Sequence, residues 1–260
     1  MMDAAQLLQA VADVARATGD TAHALYSTSI HVELKNDGSP VTHADRTAER
    51  VARDWIERRF PDHGIVGEEL GTTRPNAELR WFIDPIDGTQ SFIRGVPLWG
   101  SLTAVARGED ILAGAIYCPA VNELACAAVG EGCWCNGVRV NVSNVAALRD
   151  AAVLTTDPRF ARHPARGDAW RALASEARIA RGWSDCYGYL LVATGRAEVM
   201  VDPAMTPWDA AALIPVITEA GGVITDWNGR STAFGDGIVA SNAALAPRVQ
   251  DVLGIKARRT

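Results

Sequence analysis

The chain has 260 residues, 48% hydrophobic and 22% charged, with a formal net charge of −6. This is a globular composition with ample core for one large domain or two closely packed halves, and its acidity argues against a general nucleic-acid role. No apolar run approaches the roughly 18 residues that a membrane span needs, and the opening Met1-Met2-Asp3-Ala4-Ala5-Gln6 lacks the basic region of a signal peptide, so a cytoplasmic protein is expected.

Residues 3 to about 18 place Leu7, Leu8, Val11, Val14 and Ala15 on one helical stripe, which Gly19-Asp20 is expected to end or interrupt. The polar run from Lys35 to Asp45 reads as a turn feeding a helix cap, with Thr42 and Asp45 as cap candidates. A second helix over about 44–60 carries Ala48, Val51, Ala52, Trp55 and Ile56 on one face and stops at Pro61. Short apolar strands follow at 64–67, 80–84, 98–106, 111–117 and 123–129, some separated by the turns Gly108-Glu109-Asp110 and Gly130-Glu131-Gly132. This half reads as helices on an antiparallel sheet.

From about residue 150 strands and helices alternate. Strands are expected at 152–156, near 178, at 198–201 and at 223–226, with helices over about 167–177, 187–194 and 207–220. That alternation points to α/β layering. The spacing predicts an N-terminal α+β half, residues 1–145, carrying most of the chemistry-bearing acids. An α/β half, residues 146–260, packs against it in one compact unit with a site between them. The five cysteines, Cys118, Cys126, Cys133, Cys135 and Cys186, form no zinc-like spacing and are expected to be reduced and buried.

The densest chemistry lies in Trp81-Phe82-Ile83-Asp84-Pro85-Ile86-Asp87-Gly88-Thr89. Pro85 cannot donate a ladder hydrogen bond, so the strand is expected to stop there, leaving Asp84 and Asp87 close enough to share a hard cation such as Mg²⁺. The amides of Gly88 and Thr89 would face the same point if they open a helix, as phosphate-binding backbone does. Three further acidic positions bear on the site. Glu68 follows the strand at 64–67 in Gly67-Glu68-Glu69. Asp209 falls in the first turn of a helix opened by Pro207, and Asp185 precedes the helix near 187. Each also has an ordinary reading, as a solvated glutamate, a helix-dipole partner or a cap.

Together the motifs Asp37-Gly38-Ser39-Pro40-Val41-Thr42 with Asp45, Gly67-Glu68-Glu69, Asp84-Pro85-Ile86-Asp87-Gly88-Thr89 and Trp208-Asp209 make the chain resemble, over essentially its whole length, the inositol-monophosphatase-like family of Mg²⁺-dependent, lithium-sensitive phosphatases. The resemblance implies a layered α-β-α-β-α sandwich that hydrolyses a small phosphorylated metabolite with two or three Mg²⁺ ions. It implies Glu68, Asp84, Asp87 and Asp209 as metal ligands, with Ile86 joining through its carbonyl. Glu68 would also hold the attacking water, and Thr89 with Asp45 would form a hydroxyl-carboxylate pair that orients or deprotonates it. Gly88, Thr89 and Lys35 would bind phosphate. Relatives are often homodimers.

The segment Ser91-Phe92-Ile93-Arg94-Gly95-Val96-Pro97-Leu98-Trp99-Gly100 resembles the histidinol-phosphatase branch, as does Trp183-Ser184-Asp185-Cys186-Tyr187-Gly188-Tyr189. The resemblance also implies Asp185, where inositol phosphatases commonly keep a small residue, and Asp202, seven residues before Asp209 where they commonly carry Glu, with Arg94 on the substrate side. Histidinol phosphate carries a cationic end that extra carboxylates would attract, whereas inositol offers only hydroxyls, and a buried carboxylate without a cation is costly. That branch would place the enzyme in histidine biosynthesis. A broad inositol-1-phosphatase is the second reading, and a transcription-machinery-binding module on the same fold is the non-enzymatic one. A phospho-aspartate mechanism of the haloacid-dehalogenase kind is not expected, because two residues rather than one separate Asp84 from Asp87.

Overall fold

The computed structural model describes residues 2–26, 32–34, 38, 40–183 and 185–255. The first helix, α1, spans Ala4–His23 and is capped by Asp3, whose carboxylate accepts from the Gln6 amide at 2.8 Å. Gly19 does not end it. The glycine lies within the helix because Tyr117 packs there: a Cβ at position 19 would sit 2.4 Å from a Tyr117 ring carbon. Two short strands, β1 (Val32–Leu34) and β2 (Pro40–Thr42), pair antiparallel ahead of α2 (His43–Arg59). As expected, α2 starts at a Thr42/Asp45 capping box.

The larger sheet has eight strands: β3 (Gly64–Gly67), β4 (Gly71–Thr73), β5 (Leu79–Asp87), β6 (Gly100–Arg107), β7 (Asp110–Cys118), β8 (Glu123–Ala128), β9 (Gly132–Cys135) and β10 (Val138–Val140). Their order is β10-β9-β8-β7-β6-β5-β3-β4, antiparallel except that β3 runs parallel to β5. A short helix, α3 (Thr89–Phe92), follows β5. The strand does not stop at Pro85. It continues to Asp87 through a register shift between Asp84 and Asp87 that places the proline where no ladder amide is needed. The Ser101 hydroxyl donates to the Pro85 carbonyl at 2.6 Å and secures the irregular stretch.

The smaller sheet has the order β12-β11-β13-β15-β14. Its strands are β11 (Ala152–Leu154), β12 (Ile179–Arg181), β13 (Val199–Asp202), β14 (Gly222–Thr225) and β15 (Ile238–Asn242). Helices α4 (Pro164–Glu176), α5 (Asp185–Ala193), α6 (Pro207–Ala210), α7 (Leu213–Glu219) and α8 (Ala246–Val252) accompany it. The single helix expected over 207–220 is two. Pro215 falls in the first turn of α7, where its missing amide costs no intrahelical bond.

Three apolar cores define five layers. Leu7, Val11 and Val14 of α1 and Ile56 of α2 cover one face of the large sheet at Trp81, Ile83 and Val105. The other face, through Phe82, Leu102 and Ile116, meets Leu190 of α5 and Leu213 and Val216 of α7, which also pack on Met200 and Ile224 of the small sheet. Trp170 and Leu173 of α4 and Val249 of α8 close the outer face over Val153 and Val201. The result is an α-β-α-β-α sandwich. All five cysteines are free thiols. Cys118, Cys133 and Cys186 are buried, while Cys126 and Cys135 are only partly covered, because their hairpin lies toward the edge of the large sheet. No helix among the described residues is long and apolar enough to cross a membrane.

Candidate active site

The end of β5 supplies the first acids. Asp84 is 2% exposed, and one of its oxygens accepts from the Ile86 amide at 3.0 Å. Asp87 is half-buried, and its carboxylate accepts from the backbone amide of Cys186 at the start of α5. The first turn of α6 brings in Asp209, which accepts from the Thr206 amide at 2.9 Å. This carboxylate caps its helix and reaches the cluster as well. One oxygen each from Asp84, Asp87 and Asp209 lies within 4.8 Å of the others. Among the described residues no basic side chain forms an ion pair with any of the three.

Glu68 stands just past β3, its amide bonded to the Ile83 carbonyl at 3.2 Å, so the pairing of β3 with β5 carries it to Asp84. The electrostatics follow from crowding acids in a sheltered place. Burial above all, then the charges of Glu68, Asp87 and Asp209, pushes the Asp84 carboxyl well above the usual carboxylate range. Burial, then the charges of Asp185 and Asp209, does the same to Asp87. Asp209 is pushed up to about 6 by burial, with the Glu68 charge adding to it and the Thr206 amide opposing. An all-oxygen donor set that repels itself suits a hard divalent cation: the residues fit Mg²⁺.

A consequence can be measured without substrate. Carboxyls raised in the folded state stabilise the metal-free protein below their unfolded value near 3.8, and that stability is lost as pH rises through the folded value, about 6 for Asp209. Mg²⁺ should compensate where the acids are ionised. The rise in Tm on adding Mg²⁺ is therefore expected to be larger at about pH 8 than at about pH 5. Thermal melts with Mg²⁺ or with a chelator at both pH values test this, and an equal rise at both would contradict it.

Asp45 and Thr89 are not bonded to each other. Asp45 is fully buried in the first turn of α2, where one oxygen accepts from the Thr42 amide at 2.7 Å and the Thr42 hydroxyl at 2.6 Å. Its other oxygen, Oδ1, is buried without a hydrogen-bond partner. The Thr89 hydroxyl donates instead to the Ile86 carbonyl at 3.1 Å. Helix capping and a tight turn thus hold the two groups locally, and the Ile86 carbonyl already receives one hydroxyl. Gly88, at φ 86° in the left-handed region, turns the chain from β5 into α3. The amides of Gly88, Thr89 and Gln90 donate no hydrogen bond among the described residues. Lys35 lies outside the described residues.

Glu68, Gly88, Thr89 and Gln90 line a cleft of about 570 Å³ with Pro40, Ser91, Arg94, Val96, Thr156, Asp157, Arg159 and Asp185. An adjoining hollow of about 230 Å³ shares Thr156, Asp157 and Asp185 and reaches Asp87, Asp202 and Asp209. Arg94 is exposed at the mouth and donates to the Gln90 carbonyl at 3.0 Å. Asp185 is half-buried beside Gly88, where an added Cβ would meet its carboxylate at 2.9 Å.

Asp202 reaches the adjoining hollow from β13. It is buried and its carboxylate is committed: one oxygen takes the Thr156 amide at 2.9 Å and the other the Tyr189 hydroxyl at 2.9 Å. The Thr156 hydroxyl in turn accepts from the Asp185 amide at 3.0 Å, so Asp202 props the loop that holds Asp185. Asp157 and Arg159 were not anticipated. They form a two-pronged ion pair, 2.7 and 2.9 Å, at the cleft wall. The available signal was Thr155-Thr156-Asp157-Pro158 after a strand, the same acid-before-proline ending as Asp84-Pro85.

Known proteins agree with this architecture. The profile of the inositol monophosphatase family matches residues 3–259. The chain is 43% identical to a histidinol-phosphatase of Chlorobaculum parvum, over 87% of this chain and 88% of that protein. It is 34% identical to a fructose-1,6-bisphosphatase/inositol-1-monophosphatase of Aquifex aeolicus, over 83% of this chain and 82% of that one. Among solved structures, the extragenic suppressor protein suhB from Bartonella henselae superposes with a TM-score of 0.88 at 28% identity, covering 94% of this chain and 97% of that one.

Proposed function

We propose that this chain, which belongs to the inositol monophosphatase family, is a Mg²⁺-dependent histidinol-phosphate phosphatase of histidine biosynthesis acting in the cytoplasm. The chain is a phosphoric monoester hydrolase. The observation that carries the finer reading is an additional carboxylate beside the acid cluster. Asp84, Asp87 and Asp209 bring oxygens within 4.8 Å of one another, and Asp185 stands on the cleft wall against Gly88, where it can meet a cationic group on the leaving-group side. Glu68, Asp84, Asp87 and Asp209 would hold the metal, with the Ile86 carbonyl as a further ligand. When bound, Mg²⁺ ions would neutralise phosphoryl charge and lower the pKa of a coordinated water.

The remaining roles belong to the protein. The amides of Gly88 and Thr89 hold phosphoryl oxygens, with Lys35 as a further cation for the phosphate. Glu68 positions the water. Thr89 takes part in orienting it, exchanging its bond to the Ile86 carbonyl for one to the water. The unpartnered Oδ1 of buried Asp45, whose carboxyl feels the Glu68 charge, would be the base-like oxygen that receives a hydroxyl proton. We assign residues 1–145 to the half that supplies most of the metal site and 146–260 to the half that supplies Asp209 and the substrate wall, working as one unit, possible as a homodimer. A broad inositol-1-phosphatase is the second reading, and it is favoured by the Aquifex relative.

A phosphate-release panel with histidinol phosphate, inositol-1-phosphate, fructose-1,6-bisphosphate and 3′-phosphoadenosine-5′-phosphate, with and without Mg²⁺, tests the substrate. Preference for inositol-1-phosphate would replace the main reading with the second. Variants sharpen the test. Asp185→Asn is expected to lower kcat/KM for histidinol phosphate about tenfold to a hundredfold, as loss of a hydrogen bond to a charged group does, and to spare a neutral-alcohol phosphate. Asp202→Asn should instead lower Tm and slow both substrates alike, because it loosens the Thr156 loop. Uniform losses for Asp185→Asn would remove the charge argument for histidinol phosphate.

A further inference from the structure

The loop that carries Glu68 is gripped by two charged side chains that are not among those lining the cleft. Glu49, on α2, is fully buried, and Arg53, one turn later, is 8% exposed. The Arg53 guanidinium donates to a Glu49 oxygen at 2.7 Å. The Glu49 carboxylate also accepts from two consecutive loop amides, Glu69 at 2.7 Å and Leu70 at 3.2 Å. Arg53 continues the grip through the Gly71 carbonyl and, at 3.4 Å, the Thr73 hydroxyl. On the other side, the Glu68 amide is tied to the Ile83 carbonyl of β5. The fit leaves no slack at Gly67: a Cβ there would lie 2.0 Å from the Glu49 carboxylate.

A buried ion pair is a poor way to gain stability, since desolvation offsets most of the attraction. It is a good way to fix a backbone, because its hydrogen bonds have direction and every partner here is a loop or strand-edge group. We propose that Glu49, braced by Arg53, is a positioning residue for Glu68. It locks the turn between β3 and β4 so that the Glu68 carboxylate is already placed beside Asp84 before any cation binds. The inference rests on the reading of Glu68 as a metal ligand. Groups that orient ligands typically contribute about 10–100-fold to metal affinity.

The test measures Mg²⁺ affinity of the metal-free protein by calorimetry, alongside steady-state kinetics. Glu49→Gln leaves Arg53 buried without its counter-ion and risks misfolding, so Glu49→Gln/Arg53→Met and Gly67→Ala are made as well. The double variant removes the stranded cation, and the glycine variant displaces the clamp while keeping both charges. Each folded variant is expected to bind Mg²⁺ about 10–100-fold more weakly. Its kcat should recover at high Mg²⁺, with KM for the phosphate ester little changed. A purely structural role would lower Tm without moving the Mg²⁺ midpoint, and that result in any folded variant overturns the proposal. Glu68→Gln runs in parallel. If it weakens Mg²⁺ binding and the clamp variants do not, the clamp alone is wrong. If Glu68→Gln itself has no effect, the ligand reading fails and the clamp proposal falls with it.

Discussion

Asp84→Asn is expected to lower Mg²⁺-dependent kcat/KM by about three orders of magnitude or more, because the cation it would hold serves both water activation and charge neutralisation. The same change should leave the metal-free protein as stable as the parent or more so. Asp84 is buried among Glu68, Asp87 and Asp209, and burial and repulsion hold its carboxyl well above the usual range. An amide of the same shape removes that repulsion and keeps an acceptor for the Ile86 amide. Opposite signs for activity and metal-free Tm distinguish a ligand from a fold-maintaining residue. Calorimetric melting in chelator, with phosphate release in Mg²⁺, reads both. A variant with near-normal Mg²⁺-dependent turnover would remove this segment from the metal site, and one that simply unfolds would make Asp84 structural.

Thr89→Ala is expected to lower kcat by about a hundredfold or more, within the span of general acid-base contributions, while changing KM and Mg²⁺ affinity little. In the proposed mechanism the threonine would give its amide to the phosphate and its hydroxyl to the water, and only the hydroxyl is lost. In the free protein that hydroxyl rests on the Ile86 carbonyl at 3.1 Å, so its removal strands no buried donor and Tm should hold. Thr89→Ser restores the hydroxyl and should recover most of the rate. A change confined to KM would make Thr89 a binding residue, and an unchanged kcat would leave Asp45 without a hydroxyl partner in the reaction.

Local signals made much of this protein legible before its structure. Periodicity placed α1 and α2, and Thr42 and Asp45 marked the start of α2 as their capping box. The apolar runs located β3, β6, β7 and β8 to within a few residues. The acid-proline-acid-glycine segment announced a carboxylate pair followed by a turn with spare amides, because these properties belong to the residues and their immediate neighbours. Two expectations failed where packing overrode a local rule. Gly19 stays inside α1 because Tyr117 occupies the space of its side chain. Strand β5 passes Pro85 because the register shift removes the need for that amide.

What the tertiary structure alone decided is which side chains spend their polarity on one another. Asp202 and Asp185 were equivalent as carboxylates in sequence. Only the fold aims Tyr189 and Thr156 at the first and leaves the second against Gly88 in the cleft. Likewise an i,i+4 Glu-Arg pair is ordinary on a helix surface, yet Glu49 and Arg53 are buried beneath the turn after β3. The central strand β15 gave no clear period because it lies between β13 and β14 with all five residues buried, so no polar alternation marked it. The sequence by itself determined the family, the five-layer architecture it implies and the acids able to share a cation, since each is carried by short motifs. The division of those acids into cleft, cap and prop required the chain to close on itself, because hydrogen-bond partners tens of residues apart compete for the same carboxylate and only packing settles which one has it.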